Sequence, residues 1–184
     1  AYRDMFDDIH HYPDGSSFIL RDAISKRYKI NFDNILCGSG SDDLIDVLIR
    51  CFAGNGDEVL YSQYGFLMYK IVAKAAGAVP VPAKEYNFRT DIESILSKVS
   101  KKTKVVIIAN PNNPTGSYLT LLELEYLCRE LRKDILIIID AAYAEYLSTD
   151  DYSSGISLVD RFQNVVMTRT FSKLYGLAAL RIGW

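Results

Sequence analysis

The feature that most constrains this chain is a series of five short, densely apolar runs held apart by helical patterns. The runs are Glu58–Tyr61, Ala78–Pro82, Lys104–Ala109, Asp134–Ile139 and Asn164–Thr168. Each is bounded by turn signals and reads as a buried strand. The fourth contains ILIII, too dense in β-branched residues for anything but a central position. Thr120-x-x-Glu123 forms a capping-box pattern ahead of LELEYLCREL, and Thr90-x-x-Glu93 stands at the start of DIESILSKV. Ser41 can cap DDLIDVLIRCF, which Gly54 would close. Phe66–Ala76 repeats apolar residues at helical spacing and stops at Gly77. Strands separated by helices imply a three-layer α/β fold, helices on both faces of a mainly parallel sheet. There is no internal repeat and no low-complexity segment.

Bulk properties narrow the function. At 184 residues the chain can build one core. A formal net charge of -2 supplies no basic field for nucleic acid. No apolar run reaches the roughly 20 residues that span a bilayer. The opening AYRDMFDDIHHYPDG lacks the basic stretch and apolar core of a signal peptide. Cys37, Cys51 and Cys128 are odd in number and far apart, and read as reduced thiols of a cytoplasmic protein. Cys51 and Cys128 fall at apolar positions of expected helices. No Cys-x-x-Cys or His/Cys pairing points to zinc, and no metal is expected.

In parallel sheets ligands gather at the carboxyl ends of the strands. Three successive strands end in NPNNPTG, in DAAY and in RTFSK. Each motif has a plain structural reading. Asn110–Gly116 is composed of ordinary turn residues. Asp140 can be a helix cap or the partner of a buried cation. Most lysines, Lys173 included, are solvated charges. Gly38-Ser-Gly-Ser41 ahead of a helix is either a capped loop or an anion site made by free amides and the helix dipole. Asp42 and Asp43 suit the dipole, so an anion there requires their side chains to point away.

Taken together, the motifs match one chemistry. A lysine amine forms a Schiff base with an aldehyde. Pyridoxal phosphate needs such a lysine, an acid facing its pyridine nitrogen and a phosphate cradle. Asp140 can supply the acid. Thr170, Ser172, Arg181 and the helix start at Gly40, Ser41 and Asp42 can supply the cradle, the arginine through its planar fork of donors.

The ordered set of YPDG (Tyr12–Gly15), GSGSDD (Gly38–Asp43), SQYGFLMY (Ser62–Tyr69), NPNNPTG, DAAYAEY (Asp140–Tyr146) and RTFSKLYGLAALRIGW (Arg169–Trp184) spans nearly the whole chain. It resembles the fold-type-I pyridoxal-phosphate aminotransferases, and among them the histidinol-phosphate aminotransferases. Those enzymes more often carry Glu where this chain has Ala141.

The resemblance implies a role for each matching position. Lys173 would hold the cofactor covalently and act as base at the substrate α-carbon. Asp140 would keep the ring nitrogen protonated. Tyr143 and Asn113 would bond the phenolic oxygen, and Tyr64 would stack on the ring. Gly40, Ser41, Asp42, Thr170, Ser172 and Arg181 would surround the phosphate, and Tyr12 would reach the phosphate of a neighbouring subunit in a homodimer. The implied reaction pairs histidinol phosphate with 2-oxoglutarate, giving imidazole-acetol phosphate and glutamate in histidine biosynthesis. Aromatic amino acids, other small phosphate esters or phosphothreonine decarboxylation are the alternatives, and an inactive truncated domain is the non-enzymatic one. Residues 1–15 would be a connecting segment and 16–184 an incomplete large domain. The amino-terminal arm and the smaller carboxyl-terminal domain of the family would be missing, and this piece would be inactive alone.

Overall fold

The computed structural model describes residues 10–184, which divide into two compact units, one ending at Cys37 and the other spanning Gly38–Trp184. The first unit holds α1 (Phe18–Tyr28). Asp14 anchors its start, accepting hydrogen bonds from the Phe18 amide at 2.8 Å and from Ser16. These bonds hold the Asp14 carboxyl below its usual range. Arg21 of α1 lies over the Phe32 ring, 3.9 Å from its centroid.

The second unit begins with α2 (Ser41–Phe52), β1 (Glu58–Ser62), α3 (Leu67–Ala75) and β2 (Val79–Ala83). A short antiparallel pair follows, β3 (Glu85–Tyr86) and β4 (Arg89–Thr90). Then come α4 (Ile92–Lys98), β5 (Thr103–Ala109), α5 (Leu121–Glu130), β6 (Leu136–Asp140), α6 (Ile156–Val159) and β7 (Val165–Thr168). The main sheet has the order β2-β1-β5-β6-β7, and every neighbouring pair is parallel.

Alternation along the central strands builds the two cores. Val106 and Ile108 of β5, with Ile137 and Ile139 of β6, pack into one cluster with Ile95 of α4 and Leu124, Leu127 and Cys128 of α5. Val105, Ile107, Leu136 and Ile138 point the other way, into a cluster with Ile45 and Ile49 of α2 and Tyr69, Val72 and Ala73 of α3. Side chains on a strand alternate between faces. A run that is apolar at every position is therefore what a sheet covered on both sides requires. The expected three-layer fold is present, with strand limits within two residues of the sequence reading.

Local details differ. Thr120 is the cap of α5 in a complete capping box. Asp91, not Thr90, caps α4. Thr90 belongs to β4, and its hydroxyl donates to Ser62 Oγ at 3.1 Å. Ser41 is the first residue of α2 and Gly40 precedes it as cap, with no side-chain bond. That helix ends before Ala53, ahead of Gly54. Cys128 is buried, whereas Cys51 is exposed on α2. The β3–β4 hairpin was not anticipated, because two residues are too few to show a period.

Candidate active site

The ends of β5, β6 and β7 stand in register, with Ala109 beside Asp140 and Asp140 beside Thr168. Whatever follows these strands is delivered to one place. After β5, Asn110 is fully buried and acts as a pin. Its amide nitrogen donates to Leu119 O and Ser153 O, both at 3.1 Å, and its Oδ1 accepts from the Leu119 amide at 2.7 Å. The Tyr152 hydroxyl donates to Asn110 O at 2.9 Å. Asn110–Gly116 is thus a turn, and a tightly held one. It presents Asn113, whose Nδ2 lies 3.5 Å from the Tyr143 hydroxyl.

Asp140 closes β6 and is only 6% exposed. The Tyr69 hydroxyl donates to its Oδ2 at 2.6 Å. The Ala142 amide, at 3.2 Å, and the Thr168 hydroxyl, at 3.4 Å, donate to Oδ1. Burial pushes the carboxyl pKa up, and these donors oppose that rise. Burial and the nearby Asp140 charge push the Tyr69 phenol well up, so it remains a donor. Lys173 Nζ lies 5.2 Å from the centre of the Tyr143 ring. Asp140, Tyr143, Asn113 and Lys173 line a single pocket together with Ser41, Asp42, Phe66, Tyr69, Ala109, Pro111 and Ala142.

The Lys173 segment is held by a return of the chain. Arg169 and Trp184 exchange backbone hydrogen bonds at 2.7 and 3.0 Å, and the Phe171 amide donates to Ile182 O. Ala178–Leu180 forms a single helical turn, and beyond it the chain pairs through isolated bridges at Gly183. Gly183 bonds Gly38 in both directions at 3.0 Å. A Cβ on Gly183 would lie 2.4 Å from Gly40 C and Ser41 N. Only glycine permits that approach, and the approach carries Arg181 to the start of α2.

There the Arg181 guanidinium donates to Ser172 Oγ at 3.3 Å and to Ser39 O at 3.3 Å. Thr170 Oγ1 donates to Ser172 Oγ at 3.0 Å. Gly40 has φ 97°, and a Cβ on it would sit 2.5 Å from Arg181 Nη2. The first amides of α2 have no partner within the helix. Asp43 folds back to accept the Ser39 amide at 3.0 Å. The expected cradle residues Thr170, Ser172 and Arg181 therefore meet at the Gly40 end of α2, and the Asp43 carboxylate is engaged by the Ser39 amide.

Tyr64 and Tyr12 are the remaining expected residues. Tyr64 does not line the pocket; its ring faces Phe88, with centroids 5.5 Å apart. Phe66, two positions on, does line it. Tyr12 lies in the other unit and is 99% exposed. Three features escaped the sequence reading: Phe66, Tyr69 and the partly buried ion pair of Arg169 with Glu145. For Tyr69 a signal existed, since a tyrosine on the buried stripe of a helix needs a partner for its hydroxyl.

The chain matches the model of the family "Aminotransferase class I and II" over residues 2–184. It belongs to the class I and II aminotransferases. It is 52% identical over its entire length to a histidinol-phosphate aminotransferase of Rhodospirillum centenum, covering 51% of that protein. It is 51% identical to one of Pelagibacter ubique, over 96% of this chain and 49% of the relative. The chain spans about half the length of the curated relatives it matches. Among solved class I and II structures, the histidinol-phosphate aminotransferase of Sinorhizobium meliloti in complex with pyridoxal-5'-phosphate superposes with TM-score 0.92 at 31% identity, over 98% of this chain and 49% of that one. An aromatic aminotransferase of Pyrococcus horikoshii superposes with TM-score 0.86 at 27% identity, over 94% of this chain and 50% of that one. The aminotransferase fold is thus shared between proteins named for different substrates.

Proposed function

We propose that this chain is the cofactor-binding part of a pyridoxal-phosphate-dependent histidinol-phosphate aminotransferase. The observation that carries this reading is the meeting of Lys173, Asp140, Tyr143 and Asn113 at three adjacent strand ends, in a pocket that also takes in Ser41 and Asp42 at the start of α2. The residues present fit the cofactor: a buried acid for the ring nitrogen, an amine for the aldehyde, and an arginine brought against the start of α2 where a side chain at position 40 would collide with it.

When bound, pyridoxal phosphate supplies an electron sink for the pair left at an α-carbon. The chain's own residues do the rest. Lys173 anchors the cofactor and, once released, its amine moves the proton at the substrate α-carbon. Asp140 holds the proton on the ring nitrogen. Tyr143 and Asn113, already close to one another, hold the phenolic oxygen. Arg181, Ser172, Thr170 and the Gly40–Asp42 amides hold the phosphate. The resemblance supports Tyr64 for the ring face, and Phe66 lines the pocket beside Tyr69.

The identity to histidinol-phosphate aminotransferases supports histidinol phosphate as donor and 2-oxoglutarate as acceptor, in histidine biosynthesis. The same resemblance supports a homodimer in which Tyr12 reaches the partner's phosphate, and a large domain over residues 16–184 preceded by a connecting segment. No helix among the described residues is long and apolar enough to cross a membrane. The free cysteines and the likeness to biosynthetic aminotransferases support a cytoplasmic enzyme.

Borohydride reduction of the complete protein with pyridoxal phosphate, followed by peptide mapping, tests the reading together with a donor screen. The expected result is a label on Lys173 and glutamate formed from histidinol phosphate. A label on another lysine removes the site; turnover of aromatic amino acids alone removes the substrate.

A further inference from the structure

Asp140 needs one more residue than any strand-end motif supplies. Its partner Tyr69 comes from α3, 71 positions earlier in the chain, and is 1% exposed. The Tyr69 ring is held edge-on against Phe66, with centroids 5.8 Å apart at 89°, and against Tyr61, at 6.4 Å and 68°. Between two such walls the ring has one orientation, and that orientation aims the hydroxyl at Oδ2. A phenylalanine would fill the same apolar volume. The hydroxyl is therefore what distinguishes this position, and Asp140 is its hydrogen-bond acceptor.

The bond is short, as expected for a neutral donor on a charged acceptor. Its competitors are weaker in geometry, since the two donors to Oδ1 stand at 3.2 and 3.4 Å. Other charged or titratable groups around Asp140 are Asp42 at the start of α2, Tyr143 after β6, Tyr152 and Lys173 in its loop. Asp42 opposes the Asp140 charge. Without Tyr69, burial and Asp42 would both favour moving a shared proton from a ring nitrogen onto the carboxylate.

We propose that Tyr69 is a positioning residue for Asp140, fixing the carboxylate's direction and charge and thereby keeping the proton on the cofactor's ring nitrogen. The proposal rests on the cofactor reading above. Through Phe66, the same aromatic cluster joins Asp140 to the pocket wall.

The test uses the complete protein loaded with pyridoxal phosphate labelled with 15N at the ring. In the wild type the 15N resonance is expected at the protonated position. In Tyr69→Phe it moves toward that of neutral pyridine. Cofactor binding is retained, because the bond lost is to Asp140 and not to the cofactor. In turnover, kcat falls while KM for the amino donor is unchanged. Replacing Tyr69 with 3-fluorotyrosine, which retains the hydroxyl donor, restores the protonated signal. A wild-type resonance in Tyr69→Phe overturns the inference and leaves the cofactor reading standing. A wild type that does not bind pyridoxal phosphate overturns both. Should Tyr69→Phe not fold, the 19F resonance of 3-fluorotyrosine at position 69 takes its place. It is expected to move on cofactor addition and to stay still in an Asp140→Asn background; no movement in either overturns the proposal.

Discussion

The floor of the pocket and its rim are built in opposite ways. At the floor, Asp140 and Tyr69 are nearly inaccessible, and three donors hold one carboxylate. At the rim, Lys173 and Arg181 are exposed, and their loop is held by main-chain contacts at Gly183 and Gly40. The floor gains its precision from packing, since residues on a central strand cannot turn without disturbing both cores. The rim gains its precision from close backbone approach, which depends on two residues having no side chain. One region is suited to holding a charge at a fixed point. The other presents an exposed amine and an exposed guanidinium to a ligand.

Three measurements can break or sharpen this contrast. The largest effect is expected at the floor. Asp140→Asn should retain cofactor binding and lose roughly 10²-fold or more in transamination, because a neutral amide cannot hold the ring proton. Near-normal turnover would remove Asp140 from the chemistry. At the rim, Arg181→Leu should weaken pyridoxal phosphate by roughly 10- to 100-fold, the range of one or two charge-assisted bonds. Unphosphorylated pyridoxal should bind almost as before. Equal losses for both ligands would show that Arg181 serves the fold of its loop and not the phosphate.

The smallest effect is expected away from both regions, at the capping box of α5. Arg89, together with the Thr120 amide and hydroxyl, holds the Glu123 carboxyl down to about 2 from an ordinary 4.5. A depressed carboxylate adds stability above its unfolded pKa and loses it as pH falls toward the folded value. Melting temperature should therefore decline between about pH 4.5 and 2, and Glu123→Gln should flatten that part of the curve. The pair is partly exposed, so solvent screening keeps the effect small. An unchanged curve in the variant would mean that other carboxylates govern acid unfolding.

By itself the sequence determined the layered fold, because periods of two and of about 3.6 are local and can be read from neighbours. Placing NPNNPTG, DAAY and RTFSK at strand ends was local too, and it brought Asn113, Asp140, Tyr143 and Lys173 to one pocket. Helix caps were legible where a full reciprocal pattern existed, as at Thr120 and Glu123, and misplaced by one residue where Asp91 competed with Thr90. What the tertiary structure alone decided are the pairings between distant segments. Tyr69 reaches Asp140 across the helix–sheet interface, Glu145 meets Arg169, Phe66 lines the pocket beside Tyr69, and Gly183 rests on Gly40. No periodicity records such contacts, because they depend on where helices settle against the sheet and on how closely two backbones approach. Both are consequences of packing the whole unit at once.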